Sequence, residues 1–140
     1  MLLEVVTPER LLLSQEVDEV IAPGEFGQFG VLPGHRPFVA TLTTGELYFR
    51  EKEKERVIAI GEGIAEVLPE RITILVEWAF FGEEIDLQEA KTQKEEAEKK
   101  LKELIPLDPE YEGALRRLKE ATVKFEVSQR YHSESSKAPR

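Results

Sequence analysis

The stretch Ala22-Pro-Gly-Glu-Phe-Gly-Gln-Phe-Gly-Val-Leu-Pro-Gly-His-Arg-Pro37 sets glycine at every third position (Gly24, Gly27, Gly30) and then adds a Pro-Gly-His-x-Pro turn. Glycine admits positive φ and close backbone approach, and proline pre-sets a turn, so the segment reads as a tight surface loop entering and leaving strands. It does not read as a phosphate-cradling loop. Such a loop follows an apolar strand and opens a helix. Here Val31-Leu32-Pro33-Gly34 stops a helix instead.

The sequence around that loop carries strand patterns. Arg71-Ile-Thr-Ile-Leu-Val76 alternates, with Ile72, Ile74 and Val76 on one face. Residues 46–50 and 56–60 flank the charged tip Glu51-Lys-Glu-Lys-Glu55, which predicts a hairpin. Residues 57–60 and 64–68 flank Gly61-Glu-Gly63, which predicts another. Val5-Val6 ends at Thr7-Pro8, and Leu11-Leu-Leu13 resumes the apolar pattern. Many short strands at regular turn spacing predict an antiparallel β-sandwich or flattened barrel over residues 1–82. Its two layers would bury their apolar faces about 10 Å apart.

From Gly82 onward the period is helical. Asp86 and Glu89 read as N-cap and N3 of a capping box. Leu87, Ala90, Lys94, Ala97, Leu101 and Leu104 make one stripe, with Lys94 its single polar member. Pro106 ends this helix, and Asp108-Pro109 predicts the start of a second one. The second inner stripe is Tyr111, Ala114, Leu115, Leu118, Ala121 and Phe125. So short a link predicts an antiparallel hairpin over residues 83–131. Its stripes hold few large apolar groups, so weak docking is expected. Residues 132–140 lack an apolar pattern and are expected to form a disordered tail.

Charge is unevenly placed within a net of −9 over 140 residues. Residues 1–82 carry 14 acids and 7 bases, whereas residues 113–131 carry 2 acids and 5 bases. An acidic body argues against nucleic acid as a partner. The basic final helix points to an acidic protein surface. On its outer side Val123 and Val127 are flanked by Arg116, Lys119 and Arg130 on one side and Arg117 and Lys124 on the other. That is a helix-in-groove pattern, with a solvated face bearing two incidental valines as the alternative.

Catalytic chemistry finds little support. The chain has no cysteine, and its two histidines, His35 and His132, fall in different halves. HExxH, Walker and EF-hand patterns are absent. No run of about 18 apolar residues is present to span a membrane, and the start Met1-Leu-Leu-Glu4 lacks the flank of a signal peptide. The expectation is a non-catalytic protein without a metal or cofactor.

Gly27-Gln-Phe-Gly30-Val-Leu-Pro33-Gly34-His35-x-Pro37, then Leu42-x-x-Gly45, then Ile60-Gly-Glu-Gly63-Ile-Ala-Glu-Val67, with Ile85-Asp86 opening the helices, resembles the epsilon subunit of F-type ATP synthases. The likeness runs in order from about Leu3 to about Phe125. The resemblance implies a central-stalk subunit of a proton-translocating rotary synthase, peripheral to the membrane on the cytoplasmic face of a bacterial plasma membrane. It implies contact with the gamma subunit through Thr7, His35 and Ala40, and with the c-subunit ring through Gln28 and Phe29. It implies that the hairpin acts as a brake, folded when rotation is permitted and extended against alpha and beta subunits when ATP hydrolysis is blocked. Arg116, Arg117, Lys119, Val123, Lys124 and Val127 would meet a beta subunit. Ile85, Asp86 and Ala90 match three positions of a regulatory ATP-binding motif found in some family members. Glu89 stands where that motif has arginine, which opposes phosphate binding. A free-standing ligand-binding sandwich with a helical cap is the reading from a different class.

Overall fold

Period-two burial along Leu2–Val6 and Arg71–Val76 marks strands with one face in a core. The computed structural model describes residues 1–137. Its strands are β1 (Leu2–Val6), β2 (Leu11–Glu16), β3 (Glu19–Gly24), β4 (Gly27–Val31), β5 (Phe38–Leu42), β6 (Gly45–Glu51), β7 (Lys54–Ile60), β8 (Gly63–Leu68), β9 (Arg71–Val76) and β10 (Ala79–Phe81). A 3₁₀ turn (Gly82–Glu84) and two helices, α1 (Leu87–Lys102) and α2 (Tyr111–Lys137), follow. Two compact units divide between Phe80 and Phe81.

The first unit is a nearly closed β-sandwich whose strands run β10-β7-β6-β3-β5-β8-β9-β1-β2, with β4 paired to β3. β3 joins the layers: Glu19–Ile21 pair with β6, whereas Gly24 pairs with Leu42 of β5. Leu3, Val20, Leu42, Leu47, Phe49, Ile58, Ile72 and Ile74 fill the core. Fully burying one such side chain stabilises by about 1.5–3 kcal/mol before the entropy of ordering is set against it. The β1–β9 ladder departs from the antiparallel pattern: the two strands run parallel, Leu3 beside Ile72 and Val5 beside Ile74.

The glycine-rich stretch becomes the β3–β4 hairpin, closed by Gly24 opposite Gly27. Gly27 has φ +124°, and a Cβ on Gly24 would lie 2.6 Å from the Gly27 carbonyl oxygen. Both positions therefore need glycine. The 46–60 hairpin forms as β6–β7. The hairpin expected at Gly61-Glu-Gly63 does not. β7 pairs with β6 and β10, and β8 pairs with β5 and β9, so these residues cross between layers. Close approach explains the glycine there, since a Cβ on Gly63 would meet Val76 Cα at 2.7 Å.

In the second unit Asp86 caps α1, accepting the Glu89 N–H at 2.9 Å. Glu89 does not complete the expected box in this geometry; its carboxylate accepts from Gln93 Nε2 at 3.3 Å. The reach-back half of such a box occurs at the 3₁₀ turn instead, where Glu84 accepts the Phe81 N–H at 2.8 Å. α2 begins at Tyr111 rather than just after Asp108, because the Asp108 carboxylate turns back to the Ile105 N–H at 2.8 Å. α2 also continues to Lys137, so residues 132–137 of the expected tail are helical. Residues 138–140 of that tail lie outside the described residues.

Candidate docking surfaces

The outer face of the sandwich carries an apolar row. Leu11, Val6, Leu75 and Ile64 are successive cross-strand partners on β2, β1, β9 and β8, and the row ends on Thr41 of β5. Cross-strand partners share a face, so these side chains stand together. Leu11 is 56% exposed, Leu75 41% and Ile64 42%. Val39, two residues before Thr41 on the same face, is 68% exposed. Pro8, Gly63 and Thr7 border a shallow depression at the Val6–Leu75 end.

Of the residues expected at a gamma contact, Thr7 and His35 lie in turns at the edges of this sheet and Ala40 is on its inner side. Thr7 closes the β1–β2 turn, its hydroxyl oxygen accepting the Glu9 and Arg10 N–H groups at 3.3 and 3.2 Å. His35 is exposed just before β5, its Nδ1 3.0 Å from the Arg36 carbonyl and its ring 5.0 Å from that of Phe38. β5 runs parallel to β1 through two antiparallel steps and one parallel step, so Thr7 and His35 mark opposite ends of the sheet. Ala40 pairs with the buried Ala65 and so faces inward. The outward positions beside it are Val39 and Thr41.

Gln28 and Phe29, expected at the c ring, are neighbours on β4 and point to opposite faces. Gln28 is exposed, whereas the Phe29 ring packs edge-on against Phe38 at 5.6 Å. Phe26, at the hairpin tip between them and Gly24, is 98% exposed. Sequence reasoning missed it. A large aromatic in a two-residue loop is the signal that was available.

In the second unit Arg116, Arg117 and Lys119 are exposed and Lys124 is half-buried. Val123 and Val127 do not form an exposed strip among these cations: they are only 9% and 3% exposed. The wheel gave α2 one packed side, on Tyr111, Ala114, Leu115, Leu118, Ala121 and Phe125; Ala114 and Ala121 are buried, whereas Leu115 is 47% exposed and leaves that side. The helix has a second from Val123 onward, where the Val127 carbonyl lies 3.0 Å from the Cβ position of Gly82. The charged cleft between the helices mixes Lys100, Arg117 and Lys124 with Glu96 and Glu120. Ile85, Asp86 and Ala90 are occupied structurally: Ile85 accepts the Ser128 hydroxyl, Asp86 caps α1 and Ala90 is buried.

The fold is thus a β-sandwich with an exposed apolar row, followed by a helical pair with a cationic segment. The sequence matches two domain families over almost its whole length: ATP synthase, delta/epsilon chain, beta-sandwich domain over residues 1–82, and ATP synthase, delta/epsilon chain, long alpha-helix domain over residues 83–129. The ATP synthase epsilon chain 2 of Syntrophotalea carbinolica is 44% identical over 128 residues, covering 91% of this chain and 93% of that one. The ATP synthase epsilon chain of Desulfosudis oleivorans is 50% identical over 100 residues, 71% of this chain and 75% of that one. A chain in the Euglena gracilis mitochondrial ATP synthase shares the fold, with a TM-score of 0.66 at 24% identity over 95% of this chain and 79% of that one. The chain belongs to the ATP synthase delta/epsilon chain family and is a non-catalytic subunit of that synthase. No helix among its described residues is long and apolar enough to cross a membrane.

Proposed function

We propose that this subunit works in the central stalk of a proton-translocating ATP synthase, docked on the gamma subunit through the outer sheet face and resting on the c ring through the β3–β4 hairpin. The carrying observation is the row Leu11, Val6, Leu75 and Ile64 with Val39 beside it. Single exposed apolar residues are ordinary, but a contiguous patch marks a binding surface. A rotor component has to transmit torque, and a sandwich with both layers tied through β3 resists shear. Gln28, with Phe26 at the tip, is the part offered to the c ring; Phe29 supports the hairpin from inside.

The hairpin is the regulatory element. Folded, it keeps Val123 and Val127 buried. Extended along the stalk, it presents those valines together with Arg116, Arg117, Lys119 and Lys124 to an acidic groove of a beta subunit, with alpha alongside, and so blocks hydrolysis. The position is peripheral, on the cytoplasmic face of a bacterial plasma membrane.

Co-purification tests the docking reading. Val39→Asp with Ile64→Asp should abolish co-elution with gamma while the sheet's circular dichroism and melting remain those of the parent, because both side chains point away from the core. Retained co-elution would sink the reading. A free-standing sandwich would elute alone in the parent form as well.

A further inference from the structure

Ser128 lies in the middle of α2 and is fully buried, yet its hydroxyl does not serve its own helix. A serine or threonine inside a helix ordinarily bonds back to the carbonyl four residues earlier. Thr122 does so, donating to the Leu118 carbonyl at 2.7 Å. Ser128 instead donates to the Ile85 carbonyl at 3.0 Å, across 43 residues of chain. Ile85 immediately precedes Asp86, the cap of α1.

The residue before that bond, Val127, and the one a turn after it, Tyr131, sit against the same segment. A Cβ on Gly82 would lie 2.7 Å from Tyr131 Cβ and 3.0 Å from the Val127 carbonyl oxygen. Gly82 is buried, and only glycine leaves room for the helix backbone at that distance. Positions 127, 128 and 131 share one face of the helix. Their contacts with residues 82 and 85 form one continuous seat.

We infer that Gly82 and Ser128 form a latch that holds the C-terminal half of α2 closed on the segment ahead of α1, and that its opening is the step that uncovers Val123 and Val127. The regulatory consequence rests on the braking role proposed above; the latch itself does not. The device suits reversible switching. On opening, the hydroxyl and the carbonyl both gain water, so the net cost of separating them is modest. The steric seat at Gly82 supplies selectivity for one closed geometry.

Hydrogen–deuterium exchange on the full chain tests the latch. Ser128→Ala removes only the donor, and Gly82→Ala adds only the obstructing methyl. Each should raise exchange of α2 amides over residues 123–131 about tenfold, the scale expected when a local opening equilibrium loses one buried contact. Sheet amides in β7 and β9 should exchange as in the parent, and the exposed control Gln129→Ala should change nothing. The double variant should exchange no faster than Gly82→Ala alone, because an open latch cannot be opened twice. Parental exchange in both single variants overturns the latch. So does additivity in the double variant, or a parallel rise in sheet exchange. Ser128→Ala is then added to the assembled catalytic head. Stronger inhibition of ATP hydrolysis upholds both proposals. Faster α2 exchange with unchanged inhibition upholds the latch and overturns the brake.

Discussion

The ammonium of Lys94 on α1 lies 5.0 Å from the centre of the Phe125 ring on α2. It also lies 3.8 Å from Glu98 Oε1, one turn along its own helix. This accounts for the single polar member of the α1 stripe. The aliphatic stem packs between the helices while the charge rests on an aromatic face.

Lys94→Ala should therefore loosen the hairpin by about 0.5–1 kcal/mol, the usual value of a partly exposed cation–π contact. Lys94→Arg should restore most of it. Amide exchange in α1 and α2 reads the effect directly, whereas a global melt would be dominated by the sandwich. Equal exchange in Lys94→Ala and the parent would remove this contact from the hairpin's stability.

ATP at millimolar concentration should leave the thermal midpoint of the isolated subunit unmoved. A ligand at 100 times its dissociation constant would stabilise by about 2.7 kcal/mol, an effect easily seen. Glu89 puts an anion where phosphate binding wants a cation. Asp86→Ala should cost about 1 kcal/mol as a lost helix cap, whether ATP is present or not. A saturable upward shift in the parent, lost in that variant, would contradict this account.

Removing residues 83–140 should leave a folded β unit that still binds gamma. Phe49, Leu47, Ile58, Ile72 and Ile74 of the sandwich core all belong to β6, β7 and β9. The product should melt cooperatively and retain its sheet signal. An aggregated product would show that the helices are needed to complete the core.

Replacing Arg116, Arg117, Lys119 and Lys124 together with Ala should raise ATP hydrolysis by the assembled head and leave the fold unchanged. The exposed charges of Arg116, Arg117 and Lys119 contribute at most about 1 kcal/mol each to stability, and half-buried Lys124 adds only the packing of its stem, but several attractions to one acidic groove add in the extended state. Moderate salt should produce part of the same release by screening. Full inhibition by the quadruple variant at low salt would show that these cations do not hold the brake.

Local patterns made much of this protein legible. Alternation gave β9, and the charged tip between two apolar runs gave the 46–60 hairpin, because both are properties of neighbouring residues; β5, between Pro37 and Thr43, carried no such signal. The 3–4 spacing gave α1 and, Leu115 apart, much of the inner side of α2 for the same reason. The glycine at position 27 was readable because its turn lies within a few residues. Gln28, His35 and Thr7 were expected from the family resemblance, and the structure puts them on exposed or turn positions.

What the chain's linear order could not specify was long-range pairing. Gly61-Glu-Gly63 has the composition of a hairpin turn, yet it crosses between layers, because β10 and β5 compete for the neighbouring strands and win. The parallel match of β1 with β9 joins residues about seventy apart. Val123 and Val127 looked exposed because a helical wheel shows one helix and none of its surroundings. Nothing in the sequence set Ser128 apart, because its bond to the Ile85 carbonyl joins residues 43 apart. Periodicity records which side of an element is apolar, and only the packed chain decides how many of its sides meet another surface.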